Sequence, residues 1–157
     1  MSTGLEVREV RRLPESPGVI ALIEEHARYE SGTRAQDPGY PGRLQECLDS
    51  GRLVMFVAVD ESRYLGYATL TFDVATWTGR MFGHMDCLFV RDGERGAGVG
   101  RLLVDRLAER AVEAGAVELQ WQTPEWNVRA ARFYDRLGAS RAGKLRYTWR
   151  LPAPGAS

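Results

Sequence analysis

A glycine-rich stretch in the middle of the chain constrains the fold more than any other feature of the sequence. It follows an apolar run, His84 to Val90, and opens a helical segment, Arg101 to Ala114. Glycines let a ligand approach the backbone closely, and the first N–H groups of a helix attract negative charge. A strand, a glycine turn and a helix in this order therefore predict a phosphate-binding loop. The stretch consists of Arg95, Gly96, Ala97, Gly98, Val99 and Gly100.

The spacing of the glycines excludes two common nucleotide-binding motifs. A P-loop requires Lys and then Ser or Thr after its last glycine, but Arg101 and Leu102 follow here. A dinucleotide-binding fingerprint requires two residues between its second and third glycines, and only Val99 separates Gly98 from Gly100. A glycine-rich connector with no ligand stays open at this point, because short glycine motifs recur by chance.

Composition narrows the class of protein further. The 157 residues suit one domain over 1–157, with a core from about 5 to 151 and a disordered tail over 152–157. The 21 basic and 21 acidic residues balance, which argues against nucleic acid or an anionic membrane as a partner. Two cysteines and two histidines make neither a disulfide framework nor a zinc site. With no leader or membrane-spanning run, we expect a cytoplasmic, metal-free protein.

Hydrophobic periodicity predicts a mixed α/β domain with a mostly antiparallel first half and one β-α-β crossover. Asn127 is predicted to cap the last helix, and Gly138 to end it. Helices are expected at Val19–Ala27, Arg43–Leu48, Arg101–Ala114 and Val128–Leu137. Strands are expected at Leu5–Val10, Leu53–Val59, Tyr64–Phe72, Phe82–Val90, Val117–Gln122 and Lys144–Leu151.

A second motif strengthens the interpretation of the glycine loop. Arg95, Gly98 and Gly100 match the Arg/Gln-x-x-Gly-x-Gly/Ala pattern of the GNAT N-acetyltransferases. The stretch from Trp126 to Ala139 is similar to that superfamily's Asn-x-x-Ala-x-x-Phe-Tyr-x-x-Leu-Gly signature. Two motifs in the correct order identify the chain as a member of the GNAT superfamily. This resemblance implies a GNAT fold, with a central sheet of about six to seven strands and about four flanking helices.

The resemblance also implies a donor and a mechanism. In that family the glycine loop binds the pyrophosphate of coenzyme A, and an amine attacks the thioester of acetyl-CoA directly, without a covalent enzyme intermediate. Tyr134 is implied as the acid that protonates the leaving thiolate, and a backbone N–H near Leu88, where GNAT proteins carry a bulge, meets the oxyanion. Arg136 could reach the 3′-phosphate or remain a solvated arginine. The predicted acetyl-CoA-binding residues are Leu88, Phe89, Val90, Arg95, Gly96, Ala97, Gly98, Val99, Gly100, Arg101, Asn127, Phe133, Tyr134 and Arg136.

The acceptor side resembles the spermidine/spermine and thialysine acetyltransferase branch. Tyr29 and Glu30 match that branch's Tyr-Glu, which faces the polyamine, and Trp126 matches its Glu-Trp-Asn. In the strand before the loop, Asp86 stands where the branch has Glu, and Cys87 where it has Asp. The lost carboxylate weakens attraction for a second or third ammonium, so spermine and spermidine become doubtful. A small cationic amine, such as a diamine or a basic amino acid, is the expected acceptor.

Several roles remain open at this point. Asp86 could be the general base or could only bind the ammonium group. Trp77 and Trp126 could wall an acceptor channel or simply pack. Alternative functions are acetylation of an aminoglycoside or other amino-antibiotic, acetylation of a protein amino terminus or lysine, and non-catalytic acyl-CoA binding. The resemblance further implies a homodimer.

Overall fold

The computed structural model describes residues 4–155 and has the α/β architecture that the sequence predicts. The chain divides into two compact units, residues 4–122 and 123–155, and each is described by itself. The first unit contains five strands and three helices. The strands are β1 (Leu5–Glu9), β2 (Val54–Asp60), β3 (Arg63–Ala75), β4 (Arg80–Val90) and β5 (Leu119–Gln120), and the helices are α1 (Val19–Tyr29), α2 (Tyr40–Asp49) and α3 (Val99–Glu113).

The strands form one sheet in the order β1-β2-β3-β4-β5. The first four pair antiparallel, and β5 pairs parallel to β4 through the crossover that contains α3. This is the mixed, mostly antiparallel sheet that the sequence predicts. Within residues 4–155 it has five strands rather than six or seven.

The core lies around β2, which is buried over its first six residues. A continuous apolar run is typical of a strand that is covered on both faces. Val19 and Leu22 of α1 are fully buried and belong to one cluster with Met55, Val57 and Tyr67. This cluster fixes α1 against the sheet, and so it fixes the helix end that carries Tyr29 and Glu30.

The second unit contains α4 (Val128–Leu137), with the predicted boundaries. Asn127 accepts a hydrogen bond from the backbone N–H of Ala130, and Gly138 ends the helix at φ +88°. A side-chain cap at one end and a left-handed glycine at the other are strong local signals, and this explains why the prediction succeeded.

The predicted strand Lys144–Leu151 is wrong for the described chain, because this segment has neither strand nor helix structure. Its alternating apolar side chains, Leu145, Tyr147, Trp149 and Leu151, are 82–89% exposed. Alternation marks a segment that could pair, but a strand also requires a hydrogen-bonding partner. In the first unit, β5 is likewise shorter than the predicted Val117–Gln122. Of the tail predicted over 152–157, residues 152–155 are exposed coil or turn, and 156–157 lie outside the described residues.

Smaller differences concern element ends. The structure begins α2 at Tyr40, three residues before the predicted Arg43, because Pro41 is well tolerated in the first turn of a helix. The β3–β4 hairpin extends beyond the predicted ends, as far as Ala75 and Arg80, and so Trp77 lies at its tip.

Candidate active site

The glycine loop leads from β4 into α3 in a conformation that requires glycine. Gly96 and Gly98 have φ values of +88° and +84°, in the left-handed region that other L-residues rarely adopt. Gly98 is the N-cap of α3, and no side chain within residues 4–155 caps this helix. Nothing lies within 4 Å of where a Cβ would stand on either glycine. An uncapped helix start beside open, exposed backbone is a site that suits a phosphate group.

The largely buried side chain of Arg95 stabilises the glycine loop. Its side chain is 16% exposed, and its Nε donates to the carbonyl oxygen of Val90 at 2.8 Å. One guanidinium nitrogen also lies 3.3 Å from Asp92. The guanidinium group is 4.7 Å from the ring centre of Tyr29 and 5.6 Å from that of Phe89. Cation–π contact therefore ties the loop to the end of α1 and to β4.

These contacts bring together three residues that the sequence assigned to two different ligands. Tyr29 was predicted on the acceptor side, whereas Phe89 and Arg95 were predicted on the acetyl-CoA side. The Tyr29 and Phe89 rings lie 6.2 Å apart. Phe89 is also stacked on the His26 ring, with centroids 5.2 Å apart and planes inclined by 15°.

A bulge in β4 falls at Asp86. Thr69 pairs with Cys87, and the next residue of β3, Leu70, pairs with Met85, so Asp86 is the extra residue. The backbone N–H of Cys87 donates to Thr69 Oγ1 at 3.0 Å. The sequence interpretation expected a bulge around Leu88, and the structure has it two residues earlier. Bulges often re-aim side chains next to active sites.

Beside the bulge lie two polar groups, the partly buried thiol of Cys87 and the buried hydroxyl of Tyr67. The Cys87 thiol donates to Asp86 Oδ2 at 3.6 Å. Burial, followed by the charge of Asp86, raises the pKa of the Cys87 thiol to about 11. Burial is also the main cause that raises the pKa of Tyr67 far above its usual range. Both groups are therefore neutral at physiological pH.

His26 extends this pair to the end of α1. Its Nδ1 lies 2.7 Å from the Tyr67 hydroxyl, and its Nε2 lies 3.3 Å from Glu30 Oε1. Glu30 is thus linked through His26 to Tyr67, and Asp86 is hydrogen-bonded to Cys87, whose thiol is close enough to Tyr67 to raise the pKa of its hydroxyl. We call Asp86, Cys87, Tyr67, His26 and Glu30 the polar line.

The sequence interpretation did not assign a role to His26 or Tyr67. A usable signal existed for His26, because it precedes Glu30 by four residues and so shares its helix face. Tyr67 gave no such signal. It lies 41 positions from His26 and is an ordinary member of an alternating strand, so only the fold shows their contact.

The positions of four other predicted site residues are as follows. Trp77, at the tip of the β3–β4 hairpin, is fully exposed. Arg101 forms an exposed ion pair with Asp105 on the next turn of α3. Arg136 lies in the last turn of α4, and Trp126 is 56% exposed. Their predicted roles stay predictions.

Within α4, Phe133 and Tyr134 have ring centres 5.4 Å apart, inclined by 60°. Asn127 is 8% exposed and serves as the helix cap already described. The side chain of Asn127 is therefore engaged by its own helix, whereas its predicted contact with acetyl-CoA stays a prediction.

Among the described residues, no group of three or more His, Cys, Asp or Glu side chains could hold a metal ion. Over the same part of the chain, no helix has both the length and the apolar character needed to cross a membrane.

The fold and the loop together define an acyltransferase of the GNAT type. The model of the acetyltransferase (GNAT) family matches residues 19–139, which is most of the chain. The chain therefore belongs to the GNAT acetyltransferase family, whose members use acetyl-CoA as the acyl donor.

Individual relatives agree with this assignment. The chain is 28% identical over 117 residues to a thialysine N-epsilon-acetyltransferase of Caenorhabditis elegans, a match that covers 74% of this chain and 72% of the relative. It is 34% identical over 68 residues to an L-ornithine N5-acetyltransferase of Arabidopsis thaliana, covering 43% of this chain but 28% of the relative. Among solved structures, an aminoglycoside N-acetyltransferase in complex with CoA superposes with a TM-score of 0.81. It is 15% identical and covers 96% of this chain and 97% of its own, which shows the shared fold.

Proposed function

We propose that this chain transfers the acetyl group of acetyl-CoA to a primary amine of a small cationic acceptor, such as a diamine or a basic amino acid. The observation that carries the proposal is the pair of carboxylates, Glu30 and Asp86, at the two ends of the polar line. An acidic acceptor side attracts an ammonium group. Relatives named for thialysine and ornithine, both of them amino acids with an amine on the side chain, support the same acceptor class.

The proposed donor site is the glycine loop with the start of α3. Acetyl-CoA supplies an activated thioester when it is bound. The N–H groups at the start of α3 would hold the pyrophosphate, because the helix dipole favours negative charge there. A backbone N–H of β4 near the bulge would stabilise the oxyanion. Holding donor and acceptor together in one site can supply about 7–11 kcal/mol of the barrier reduction.

Two side chains have proposed proton roles. Asp86 receives the proton of the bound ammonium, because only a neutral amine can attack a carbonyl. Tyr134 gives its proton to the departing sulfur. The Phe133–Tyr134 pair on α4 lies in the signature helix whose boundaries were predicted from the sequence.

Release of free thiol from acetyl-CoA tests the function. We expect release with diamines or basic amino acids, and weaker or no release with aminoglycosides and peptides. If the protein binds CoA but releases no free thiol from acetyl-CoA with any amine, the proposed activity is excluded and a CoA-binding module remains.

Tyr134→Phe tests the acid role separately. We expect kcat to fall about a hundredfold or more, since general acid–base groups contribute factors of that order. Tyr147→Phe, at an exposed tyrosine outside the predicted site, is the control for loss of a hydroxyl group and should leave kcat unchanged. Equal turnover of Tyr134→Phe and the unmodified chain, over the whole pH range, would contradict the role.

We also propose that the protein is a homodimer. Four large apolar side chains at Leu145, Tyr147, Trp149 and Leu151 are 82–89% exposed, and exposed apolar surface of this kind marks interaction sites. Light scattering after size-exclusion chromatography tests this. A monomer at micromolar concentration would contradict it. The cytoplasmic location stays a prediction from the sequence.

A further inference from the structure

The helix α1 is buried at its start and exposed at its end. Val19 and Leu22 are fully buried, whereas Tyr29 and Glu30 are exposed. A helix end with few buried apolar contacts opens at a lower free energy than a helix start in the core. Both predicted acceptor residues of α1 lie at this end. Their placement therefore depends on the contacts that the last turns of α1 make with neighbouring elements.

Two arginines four residues apart contact two residues of α1 that are also four residues apart. The Nε and Nη2 atoms of Arg91 donate to the two carboxylate oxygens of Glu25 at 2.9 and 2.7 Å, and its Nη1 donates to the carbonyl oxygen of Tyr64 at 2.7 Å. The guanidinium group of Arg95 lies against the ring of Tyr29. Residues four apart share one face of a helix. This face of α1 therefore meets both the end of β4 and the glycine loop.

The backbones of the two arginines belong to different parts of the fold. The N–H of Arg91 donates to the carbonyl oxygen of Leu65 at 2.9 Å, so this residue is attached to the sheet. Arg95 directly precedes the two left-handed glycines and belongs to the loop. The contact between Arg91 and Glu25 therefore does not depend on the loop conformation, whereas the contact between Arg95 and Tyr29 does.

The ring of Phe89 brings a second residue of α1 into contact with the same cluster. Phe89 is buried, and its ring is stacked on that of His26 and lies near that of Tyr29. The guanidinium group of Arg95 packs against the same ring. A planar guanidinium can stack on aromatic faces in a way that an ammonium group cannot. The loop and the last turns of α1 thus share one buried aromatic contact.

We propose that Arg95 is a positioning residue that couples the two substrates, because donor binding at the glycine loop holds its guanidinium group against Tyr29 and so fixes the end of α1 for the amine. This inference rests on the proposed function. A pyrophosphate bound to the N–H groups of the loop fixes the loop backbone, and with it the origin of the Arg95 side chain.

The coupling follows from the entropy of ordering the last turn of α1. This entropy is lost when the donor binds, so the amine that binds next loses less. The amine therefore binds more tightly in the presence of CoA. By linkage, CoA binds more tightly by the same factor in the presence of the amine.

The first test uses CoA alone and does not require an amine. Hydrogen exchange of backbone amides, measured by mass spectrometry with and without saturating CoA, reports the opening of the last turn of α1. The informative amides are those of Glu30 and Gly32, which donate to the carbonyl oxygens of His26 and Ala27. We expect CoA to slow their exchange at least about fivefold, the lower end of usual coupling factors.

Three variants show whether Arg95 carries this effect. In Arg95→Met, which keeps an apolar chain without the guanidinium group, CoA should not slow the exchange. Arg63→Gln is the matched control and should respond like the unmodified chain, because Arg63 contacts Glu94 in the turn before the loop and Asp60 on β2, both outside α1. Tyr29→Leu leaves the loop unchanged and should behave like Arg95→Met, which keeps the test decisive if Arg95→Met binds CoA too weakly.

Glu25→Gln tests the contrast between the two arginine contacts. It weakens the contact that does not depend on the loop, so exchange at the end of α1 should be faster by the same factor with and without CoA. The slowing by CoA should persist in this variant. Loss of the CoA effect in Glu25→Gln, together with its retention in Arg95→Met, would contradict the proposed role of Arg95.

The second test measures the coupling itself. The affinities of ornithine and putrescine are determined by calorimetry with and without CoA, which carries no acetyl group to transfer. We expect CoA to tighten amine binding at least about fivefold in the unmodified chain and in Arg63→Gln. The ratio should be about one in Arg95→Met, in Tyr29→Leu and in the double variant, because all three lack the same contact. Equal ratios in Arg95→Met and Arg63→Gln overturn the coupling, since a merely structural role would not change this ratio.

The two tests separate this inference from the proposed function. If CoA does not slow exchange at the end of α1, or slows it equally in Arg95→Met and Arg63→Gln, the coupling is wrong whether or not any amine is acetylated. If CoA slows exchange through Arg95 but no amine is acetylated, the proposed function is wrong, and the effect on the amine with it. The response of α1 to CoA then remains.

Discussion

The donor side of the proposed site is formed by backbone groups, whereas the acceptor side is formed by side chains. The donor side, Arg95 to Gly100 with the start of α3, presents backbone: two left-handed glycines and an uncapped helix end. The acceptor side is the polar line, made of polar side chains that donate and accept hydrogen bonds. A backbone site should fail when its conformation changes, whereas a side-chain site should fail when a titrating atom is removed.

The sequence motifs reflect the same contrast. The donor side could be predicted because its requirements are local: Gly98 follows Gly96 by two residues, and α3 begins at the next residue. The acceptor side could be predicted only at its ends, Glu30 and Asp86. Its middle joins His26 to Tyr67 across 41 residues, and no local pattern encodes that contact.

The largest effect should follow from neutralising the acceptor-side carboxylate that begins the line. Asp86→Asn should lower kcat about a hundredfold at neutral pH and leave CoA binding unchanged. Asp73→Asn, an exposed carboxylate on β3, is the control and should act like the unmodified chain. A rise in KM for the amine with no change in kcat would make Asp86 an ammonium-binding residue instead.

A smaller effect is expected on the donor side from Gly98→Ala. The new Cβ has open space, so the cost is the left-handed backbone, of the order of 1–3 kcal/mol. CoA affinity measured by calorimetry should fall roughly tenfold or more, since 1.4 kcal/mol is a factor of ten. Gly93→Ala, in the preceding turn and without a positive φ, should leave the affinity unchanged. Equal CoA affinities of the two variants would contradict the conclusion that the donor site depends on its backbone conformation.

The smallest effect concerns the pH dependence of stability. The thiol of Cys87 has its pKa raised to about 11 in the folded chain, so the folded state binds more protons than the unfolded state between about pH 9 and 11. The free energy of unfolding should therefore decrease as pH rises through this window, by about 1–3 kcal/mol in total. Urea titrations at pH 8, 9 and 10 check this.

The control for that titration is the other cysteine. Cys87→Ser should remove part of the decrease, and Cys47→Ser should not. Both thiols are partly buried. In the described chain, however, no carboxylate accepts a hydrogen bond from the Cys47 thiol as Asp86 does from the Cys87 thiol. Identical pH profiles for the two variants would show that Cys87 does not carry the effect.

The limits of sequence-based prediction have a physical cause in this chain. The signals that succeeded act within a few residues, such as the Asn127 cap and Gly138 at the ends of α4. The segment Lys144–Leu151 alternates as well as β3 does, but alternation does not supply a partner strand. The bulge at Asp86 was expected two residues later, because register depends on the pairing of β3 with β4 rather than on β4 alone.

The central claim is acetyl transfer to a small cationic amine, and a competition experiment tests it most directly. The full chain is incubated with acetyl-CoA and an equimolar mixture of diamines, lysine, ornithine, an aminoglycoside and a lysine-containing peptide, and the products are identified by mass spectrometry. We predict that diamines or basic amino acids gain one acetyl group before the other components do. Preferential acetylation of the aminoglycoside or the peptide, or no acetylation while CoA binds, would contradict the claim.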